Sequence, residues 1–85
     1  MFTVMIAKEA RRRLRAMPNN VERTIISKIE QLAADPFAAN NNVTALKGSA
    51  GFRLRVGDWR VLYVLDLAAE TVTVAAILSR GEAYR

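Results

Sequence analysis

The feature that most constrains the fold of this chain is a two-residue turn between two strand-like segments. Gly57 and Asp58 form the turn, with the glycine first, as in a type II′ hairpin turn. Before the turn, apolar residues alternate with arginines over 52–56, which is the period of a β-strand, and 59–65 is the predicted return strand. Because a two-residue loop sets the pairing of its flanking strands, the sequence predicts a β-hairpin of fixed register.

This register places three arginines on one face of the hairpin. Arg55 lies directly opposite Arg60, and Arg53 shares their face. The other face carries apolar side chains that we expect to pack under helices: Phe52, Leu54, Val56, Trp59, Val61 and Tyr63. Like charges placed opposite each other cost stability. Two interpretations stay open: the arginines extend into water, or they bind a polyanion, since a guanidinium grips phosphate through two hydrogen bonds.

The first half of the chain has the period of a helix. A short strand is predicted at 2–6, and from Ala7 apolar residues recur at helical spacing until Pro18 ends the helix. Asn19 is predicted to cap a second helix, because a glutamate follows three residues later as in a capping box. The Asp-Pro pair that ends at Pro36 stops this second helix.

The second half of the chain is predicted to form the sheet. Residues 37–50 are predicted to be a polar connection into the hairpin, and 72–78 is a further strand rich in β-branched residues. The order β-α-α-β-β-β predicts a single α+β domain over 1–85. In it, a helical hairpin packs on one face of a small, curved, mainly antiparallel sheet.

Composition excludes several kinds of chemistry. The 85 residues carry a net charge of +5 and contain no histidine and no cysteine. A disulfide framework, a thiolate metal site, a Ser-His-Asp triad and a two-histidine ribonuclease site are therefore excluded within the chain. The carboxylates lack metal-ligand spacing, so we expect no metal and no cofactor. No apolar run approaches the ~18 residues of a membrane span, and we expect a cytoplasmic protein without a membrane partner.

Further residues can join the arginine face. Arg80 follows the last predicted strand, Tyr84 lies four residues later, and Lys47 lies in the connection that leads into the hairpin. RNA carries its own nucleophile, the 2′-hydroxyl, so a protein need only align it, stabilise the developing charge and transfer protons. Arginines can supply the charge stabilisation. Tyr84 and Lys47 are the two candidates for proton transfer, and the sequence does not choose between them.

A second basic cluster lies on the first predicted helix. It consists of Arg11, Arg12, Arg13 and Arg15. These side chains form either a solvated helix face, or a sequence-independent dock for a nucleic-acid backbone, or a surface for an acidic partner protein. The RNA-binding interpretation assigns Arg11, Arg12 and Arg15 to contacts with the RNA backbone.

Three segments of the second half resemble the RelE/ParE toxin superfamily. They are Leu46–Gly48, the hairpin Phe52–Tyr63 and the closing segment Ala76–Arg85. The family pattern is a Leu-basic-Gly step, a (Y/F)-R-(I/L)-R-x-G-(D/N)-(Y/W)-R-(V/L)-(L/V)-Y hairpin and a final H-R-x-x-x-Y. The resemblance implies the toxin of a bacterial type II toxin–antitoxin pair. In the RelE branch, the implied activity is cleavage of mRNA in the ribosomal A site.

The resemblance also implies roles for single residues. Arg60 matches the hairpin arginine that contacts the scissile phosphate, Arg80 the arginine of the closing motif, and Tyr84 a tyrosine implicated in proton transfer. The basic positions that bind RNA or share in catalysis are matched by Lys47, Arg53 and Arg55. Ser79 stands where many relatives have the histidine of the closing motif.

The implied partners are a cognate antitoxin, the ribosome and its mRNA. We expect the antitoxin segment to fold on binding, with acidic residues near Arg60 and Arg80, and to be the only link to operator DNA. Two alternatives stay open: a ParE-like inhibitor of DNA gyrase without nuclease activity, and a non-toxic module that only binds its antitoxin.

Overall fold

The computed structural model describes residues 1–83 of the chain. Within them, the elements follow one another as β1 (Thr3–Ile6), α1 (Lys8–Arg15), α2 (Asn19–Ala34), β2 (Val43–Ala45), β3 (Phe52–Val56), β4 (Trp59–Asp66), β5 (Thr71–Ser79) and α3 (Arg80–Ala83). The predicted order is confirmed, with the short elements β2 and α3 added to it. None of the helices in this part of the chain is both long and apolar enough to cross a membrane.

Over residues 1–83 the strands form a single five-stranded sheet in the order β1-β5-β4-β3-β2. The neighbours β2–β3, β3–β4 and β4–β5 are antiparallel, and β1 runs parallel to β5. The predicted mainly antiparallel sheet is therefore confirmed. The register of β4 against β5 shifts between Leu62 and Tyr63, which leaves Ala75 as an extra residue on β5. Such a β-bulge bends its strand and increases the local twist, so it accounts for part of the sheet's curvature.

The β3–β4 hairpin has the predicted register. Arg55 pairs with Arg60 and Val56 with Trp59, across the turn at Gly57. The φ angle of Gly57 is +59°, whereas the next residue, Asp58, has an ordinary negative φ. A positive φ at the first turn residue alone is the signature of a type II′ turn, which agrees with the sequence prediction.

The core lies between the two longer helices and one face of the sheet. The largest fully buried side chains of α1, α2 and the sheet are Leu14, Ile25, Ile29, Val61, Tyr63, Val72 and Val74. The apolar face predicted for the hairpin is confirmed: four of its six residues are buried, and Phe52 and Trp59 pack against them from the edge. The opposite face of the hairpin carries the arginines, of which Arg60 is buried and Arg55 is exposed.

Two local predictions are wrong. The connection 37–50 contains the edge strand β2, in which Thr44 pairs with Arg53, although three residues are too few to show a strand period. The N-cap of α2 is Pro18 rather than Asn19, and no side chain caps the helix. The carbonyl of Pro18 instead accepts hydrogen bonds from the N–H groups of Val21 and Glu22, each at 3.0 Å.

Candidate functional site

A cleft of about 700 Å³ opens at the turn end of the β3–β4 hairpin. It draws its walls from α2, the segment before β2, the hairpin and the start of α3. The lining residues are Thr24, Lys28, Asn42, Arg55, Val56, Gly57, Asp58, Arg60 and Arg80. The convergence of Arg80 with the hairpin arginines, which the sequence suggested, is therefore present in the structure.

The cleft is strongly cationic. Among its described lining residues, Lys28, Arg55, Arg60 and Arg80 are cations, against the single carboxylate of Asp58. Four positive charges and one negative charge leave an excess of three positive charges. A concave surface with this excess concentrates anions, and its arginines can grip phosphate oxygens in pairs.

Arg60 is fixed inside the protein. Only 5% of the residue is exposed, and among the described residues it is the one charged residue that is buried. Its Nη1 donates hydrogen bonds to the carbonyl oxygens of Gly57 and Trp59, both at 3.0 Å. The interpretation in which the arginines extend into water therefore does not hold for Arg60. Its guanidinium is held against the carbonyls of Gly57 and Trp59, and the residue lines the cleft.

Arg55 is exposed, but its side chain is tethered. Its Nη2 donates to Oδ1 of Asn42 at 3.0 Å, and its backbone N–H donates to the carbonyl of Asn42 at 2.8 Å. Asn42 therefore holds both the strand and the guanidinium of Arg55. Arg53 lines a smaller depression of about 170 Å³ next to the cleft, which shares Asn42, Arg55 and Arg60 with it. The three hairpin arginines thus form one continuous basic surface.

Arg80 is the first residue of α3, and its backbone N–H donates to the carbonyl of Asp58 at 2.8 Å. Glu82, the third residue of the same short helix, ties it to Arg13 of α1. This carboxylate accepts two hydrogen bonds from the guanidinium of Arg13, at 3.0 and 2.5 Å, and one from the N–H of Ser79 at 2.8 Å. These bonds, led by that from Arg13, lower the pKa of Glu82 to about 2.

Several predicted site residues do not line the cleft. Lys47 is exposed in the turn between β2 and β3. This turn precedes Phe52, which is the end of β3 away from the hairpin turn, about 13 Å along the strand from Val56. Arg11, Arg12 and Arg15 are exposed on α1, outside the described lining of the cleft. Tyr84 lies outside the described residues.

The cleft also contains residues that the sequence analysis missed. Thr24 and Lys28 line it from α2, and Asn42 lines it from the segment before β2. Thr24 and Lys28 are four residues apart, so they lie on the same side of the helix. That spacing was visible in the sequence, but nothing in it showed that this side of α2 faces the hairpin turn. Among the described residues, no group of three or more potential ligands could hold a metal ion.

The family model for the ParE toxin of type II toxin–antitoxin systems, parDE, matches residues 4–84. The chain belongs to this toxin family. The RelE/ParE resemblance stated from the sequence is therefore confirmed. No match was found among curated proteins.

Solved structures of toxins share the fold of this family member. The chain is similar to the RelE–RelB complex from the archaeon Pyrococcus horikoshii, at 24% identity and a TM-score of 0.82, over 94% of this chain and 96% of that chain. The toxin–antitoxin complex RelBE2 from Mycobacterium tuberculosis matches at 24% identity and a TM-score of 0.78, over 93% and 98% of the two chains. A YoeB/ParE toxin from Agrobacterium tumefaciens matches at 14% identity and a TM-score of 0.77, over 92% and 98%.

Proposed function

We propose that this toxin is a ribosome-dependent endoribonuclease that cleaves mRNA and so inhibits translation in the cytoplasm. The observation that carries the proposal is the convergence of Arg55, Arg60 and Arg80 with Lys28 on one cleft. Cleavage by the 2′-hydroxyl of RNA adds negative charge to the phosphate in the transition state. Fixed cations at that point stabilise the charge without first having to reorganise.

The cleft residues divide this work. Arg60, held by the turn carbonyls, is the preorganised contact to the scissile phosphate, and Arg80 approaches the same cleft from the start of α3. Arg53 and Arg55 bind the neighbouring RNA backbone. Tyr84 and Lys47 are the two candidates for proton transfer. The chain has no histidine, so its proton-transfer groups alone would cleave mRNA slowly. The ribosome is therefore required to hold the mRNA in a reactive geometry.

The test is an in vitro translation reaction with the purified toxin, in which the ends of the mRNA are mapped by primer extension. Cleavage is expected only when ribosomes are present. We expect Arg60→Ala and Arg80→Ala each to lower the cleavage rate by about 10²-fold or more. The matched control is Arg23→Ala, which removes an exposed arginine of α2 outside the described cleft lining. Because Arg60 is buried, circular dichroism must show that its variant is folded.

Inhibition of DNA gyrase is the second candidate function. Two observations favour it. The family model that matches this chain is that of the ParE toxin. Lys47, one of the two residues proposed for proton transfer, is absent from the described lining of the cleft. Intact mRNA in an actively translating reaction would overturn the nuclease proposal. A gyrase supercoiling assay with the same protein then separates gyrase inhibition from a module that only binds its antitoxin.

We further propose that a cognate antitoxin neutralises this toxin by covering the cleft. The structures from M. tuberculosis and P. horikoshii are complexes of toxin with antitoxin. In this chain, an apolar groove of about 380 Å³ runs beside Trp59, between Arg12 and Pro18. It suits an apolar side chain of an antitoxin segment whose acidic residues reach Arg60 and Arg80. The antitoxin, in this proposal, also carries the contacts to operator DNA.

Co-expression and hydrogen exchange test this interface. We expect a stable complex that protects the turn at Gly57 and the start of α3 from exchange. A tight complex that leaves both Arg60 and Arg80 accessible would contradict direct blocking of the cleft. Trp59 supplies a fluorescence signal for titrating the antitoxin, because it lies between two grooves, one of which shares Gly57 and Asp58 with the cleft.

A further inference from the structure

We propose that Arg13 and Glu82 are positioning residues that hold Arg80 at the cleft. Neither side chain belongs to the described lining of the cleft, so they act through the turn that carries Arg80. The inference rests on the proposed function in one respect, namely that Arg80 acts in the cleft. We call the pair of Arg13 and Glu82 the latch.

The short helix that begins at Arg80 needs support from outside itself. α3 has four residues, and none of them is buried. A helix of this length is unstable alone, because forming its first turn fixes several residues in exchange for one hydrogen bond. Packing in the core does not hold it either. Its position therefore depends on the polar contacts that Arg80 and Glu82 make.

Glu82 closes the turn around Arg80. Its Oε1 accepts the N–H of Ser79 at 2.8 Å, three residues earlier. This is the contact that a glutamate at the third helical position makes in a capping box. On the other side, the N–H of Arg80 donates to the carbonyl of Asp58 at 2.8 Å. The backbone of Arg80 is thus held between the hairpin turn and the carboxylate of Glu82.

Arg13 anchors this carboxylate to the body of the protein. Its Nη1 and Nη2 donate to the two carboxylate oxygens of Glu82. An exposed ion pair contributes to stability mainly when it has this paired geometry. Its guanidinium carbon lies 5.4 Å from the centre of the Trp59 ring, within the range of a cation–π contact. Leu14, the next residue, is buried in the core, so α1 is a fixed support. The latch therefore connects α1, the hairpin and α3.

The first test measures the position of Arg80 without any assay of function. Amide hydrogen exchange of Arg80 is followed by NMR in the wild type and in Glu82→Ala. We expect exchange at Arg80 to accelerate at least tenfold in the variant. The matched control is Glu9→Ala, which removes the exposed partner of Arg12 at 3.3 Å and should leave Arg80 unchanged. Equal protection of Arg80 in the wild type and in Glu82→Ala would overturn the proposal.

The second test asks whether the latch acts through Arg80. Binding of inorganic pyrophosphate to the cleft is followed by the NMR shifts of the Arg55 and Arg60 amides. We expect Glu82→Ala to weaken binding about threefold to tenfold, and Arg13→Lys, which keeps the charge but loses the paired geometry, to weaken it less. In an Arg80→Ala background, Glu82→Ala should have no further effect. An equal loss in both backgrounds would show that the latch does not act through Arg80.

Cleavage of mRNA gives the third measurement. We expect Glu82→Ala to lower kcat at least tenfold and to change KM little, because the latch places a group that acts on the reacting phosphate. Unchanged kcat in an otherwise active toxin would overturn the proposal. If the wild type cleaves no mRNA, the proposed function fails while amide exchange and pyrophosphate binding still decide on the latch. The two failures are therefore distinguishable.

Discussion

Arg60 shows, at the scale of one residue, that the sequence of this toxin is not arranged for stability alone. A buried guanidinium lies opposite a second arginine, Arg55, on the neighbouring strand. Cross-strand positions with like charges are destabilising, whereas opposite charges there are favourable. A phosphate bound beside the two arginines would bring an opposite charge to both guanidinium groups.

A substitution that reverses one charge tests this trade between stability and binding. Arg55→Glu places a carboxylate opposite Arg60 but also removes the hydrogen bond from Arg55 to Asn42. The two effects oppose each other, so we expect the free energy of unfolding to stay within about 0.5 kcal/mol of the wild type. The same change should abolish binding of anions in the cleft. Urea denaturation measures the first effect and pyrophosphate titration the second. Arg23→Glu, on the exposed surface of α2, is the control for net charge. An Arg55→Glu protein that still binds pyrophosphate as the wild type does would contradict the prediction.

The register of the hairpin was predictable from the sequence, but the environment of each arginine was not. A two-residue turn determines which residues lie opposite each other, so the pairing of Arg55 with Arg60 followed from local chemistry alone. A period of two residues places Arg60 on a face of the hairpin but does not reveal that its side chain is buried. Lys47 shows the same limit. It is close to the hairpin in sequence, but it lies at the end of β3 away from the hairpin turn and therefore away from the cleft.

At the scale of secondary structure elements, the tight turn and the short terminal helix depend on different physical features. The turn needs a residue that tolerates a positive φ, which Gly57 supplies at +59°. The helix α3 needs the ion pair of Glu82 with Arg13. Each feature can be removed separately, so each gives its own prediction.

The turn prediction compares two glycines. Gly57→Ala should lower the free energy of unfolding by about 1–2 kcal/mol, because a residue with a Cβ is strained at a positive φ. Gly81→Ala is the matched control: its backbone has no positive φ, and the added Cβ meets open space. We expect that change to stay within about 0.5 kcal/mol of the wild type. Thermal or urea unfolding of both variants measures the difference. Equal effects would exclude conformational strain at the turn.

The helix prediction concerns pH. The pKa of Glu82 is about 2 in the folded protein against an ordinary value of 4.5, so the carboxylate stabilises the fold when ionised. Its contribution is complete above pH 4.5, falls as the pH drops below that value, and is lost below about 2. The stability difference between the wild type and Glu82→Gln should therefore be constant from pH 7 to 5 and shrink toward pH 2. Urea unfolding at several pH values measures it, and a difference that does not depend on pH would contradict the assignment.

Elements with a strong period or a specific turn were predictable, and weak ones were not. The helices α1 and α2, the hairpin and the last strand were predicted in the right order, because their apolar residues recur over several turns or strand positions. The edge strand β2 was missed, since Val43–Ala45 is too short to show the period of a strand and is recognised only by its pairing with β3. The pairing of β1 with β5 likewise depends on the whole fold.

At the scale of the whole molecule, two surfaces of the described residues carry clusters of positive charge. One is the cleft, where arginines from the hairpin and α3 meet. The other is the exposed side of α1, which carries Arg11, Arg12 and Arg15 outside the described lining of the cleft. Contacts to phosphate that lie away from a reacting group strengthen binding without entering the chemical step. The two surfaces should therefore affect different kinetic constants of the proposed nuclease.

Replacing Arg11, Arg12 and Arg15 together by glutamine tests this division. We expect the ribosome concentration at half-maximal cleavage to rise about tenfold at ~0.1 M salt, with kcat unchanged, because charges on α1 strengthen association with ribosomal RNA. The dependence of this concentration on salt should also become weaker, since the variant makes fewer phosphate contacts and its binding therefore releases fewer counterions. Arg80→Ala should do the reverse and lower kcat. A fall of kcat in the triple variant would place α1 in the reacting site, and no change in either constant would make it a solvated helix face.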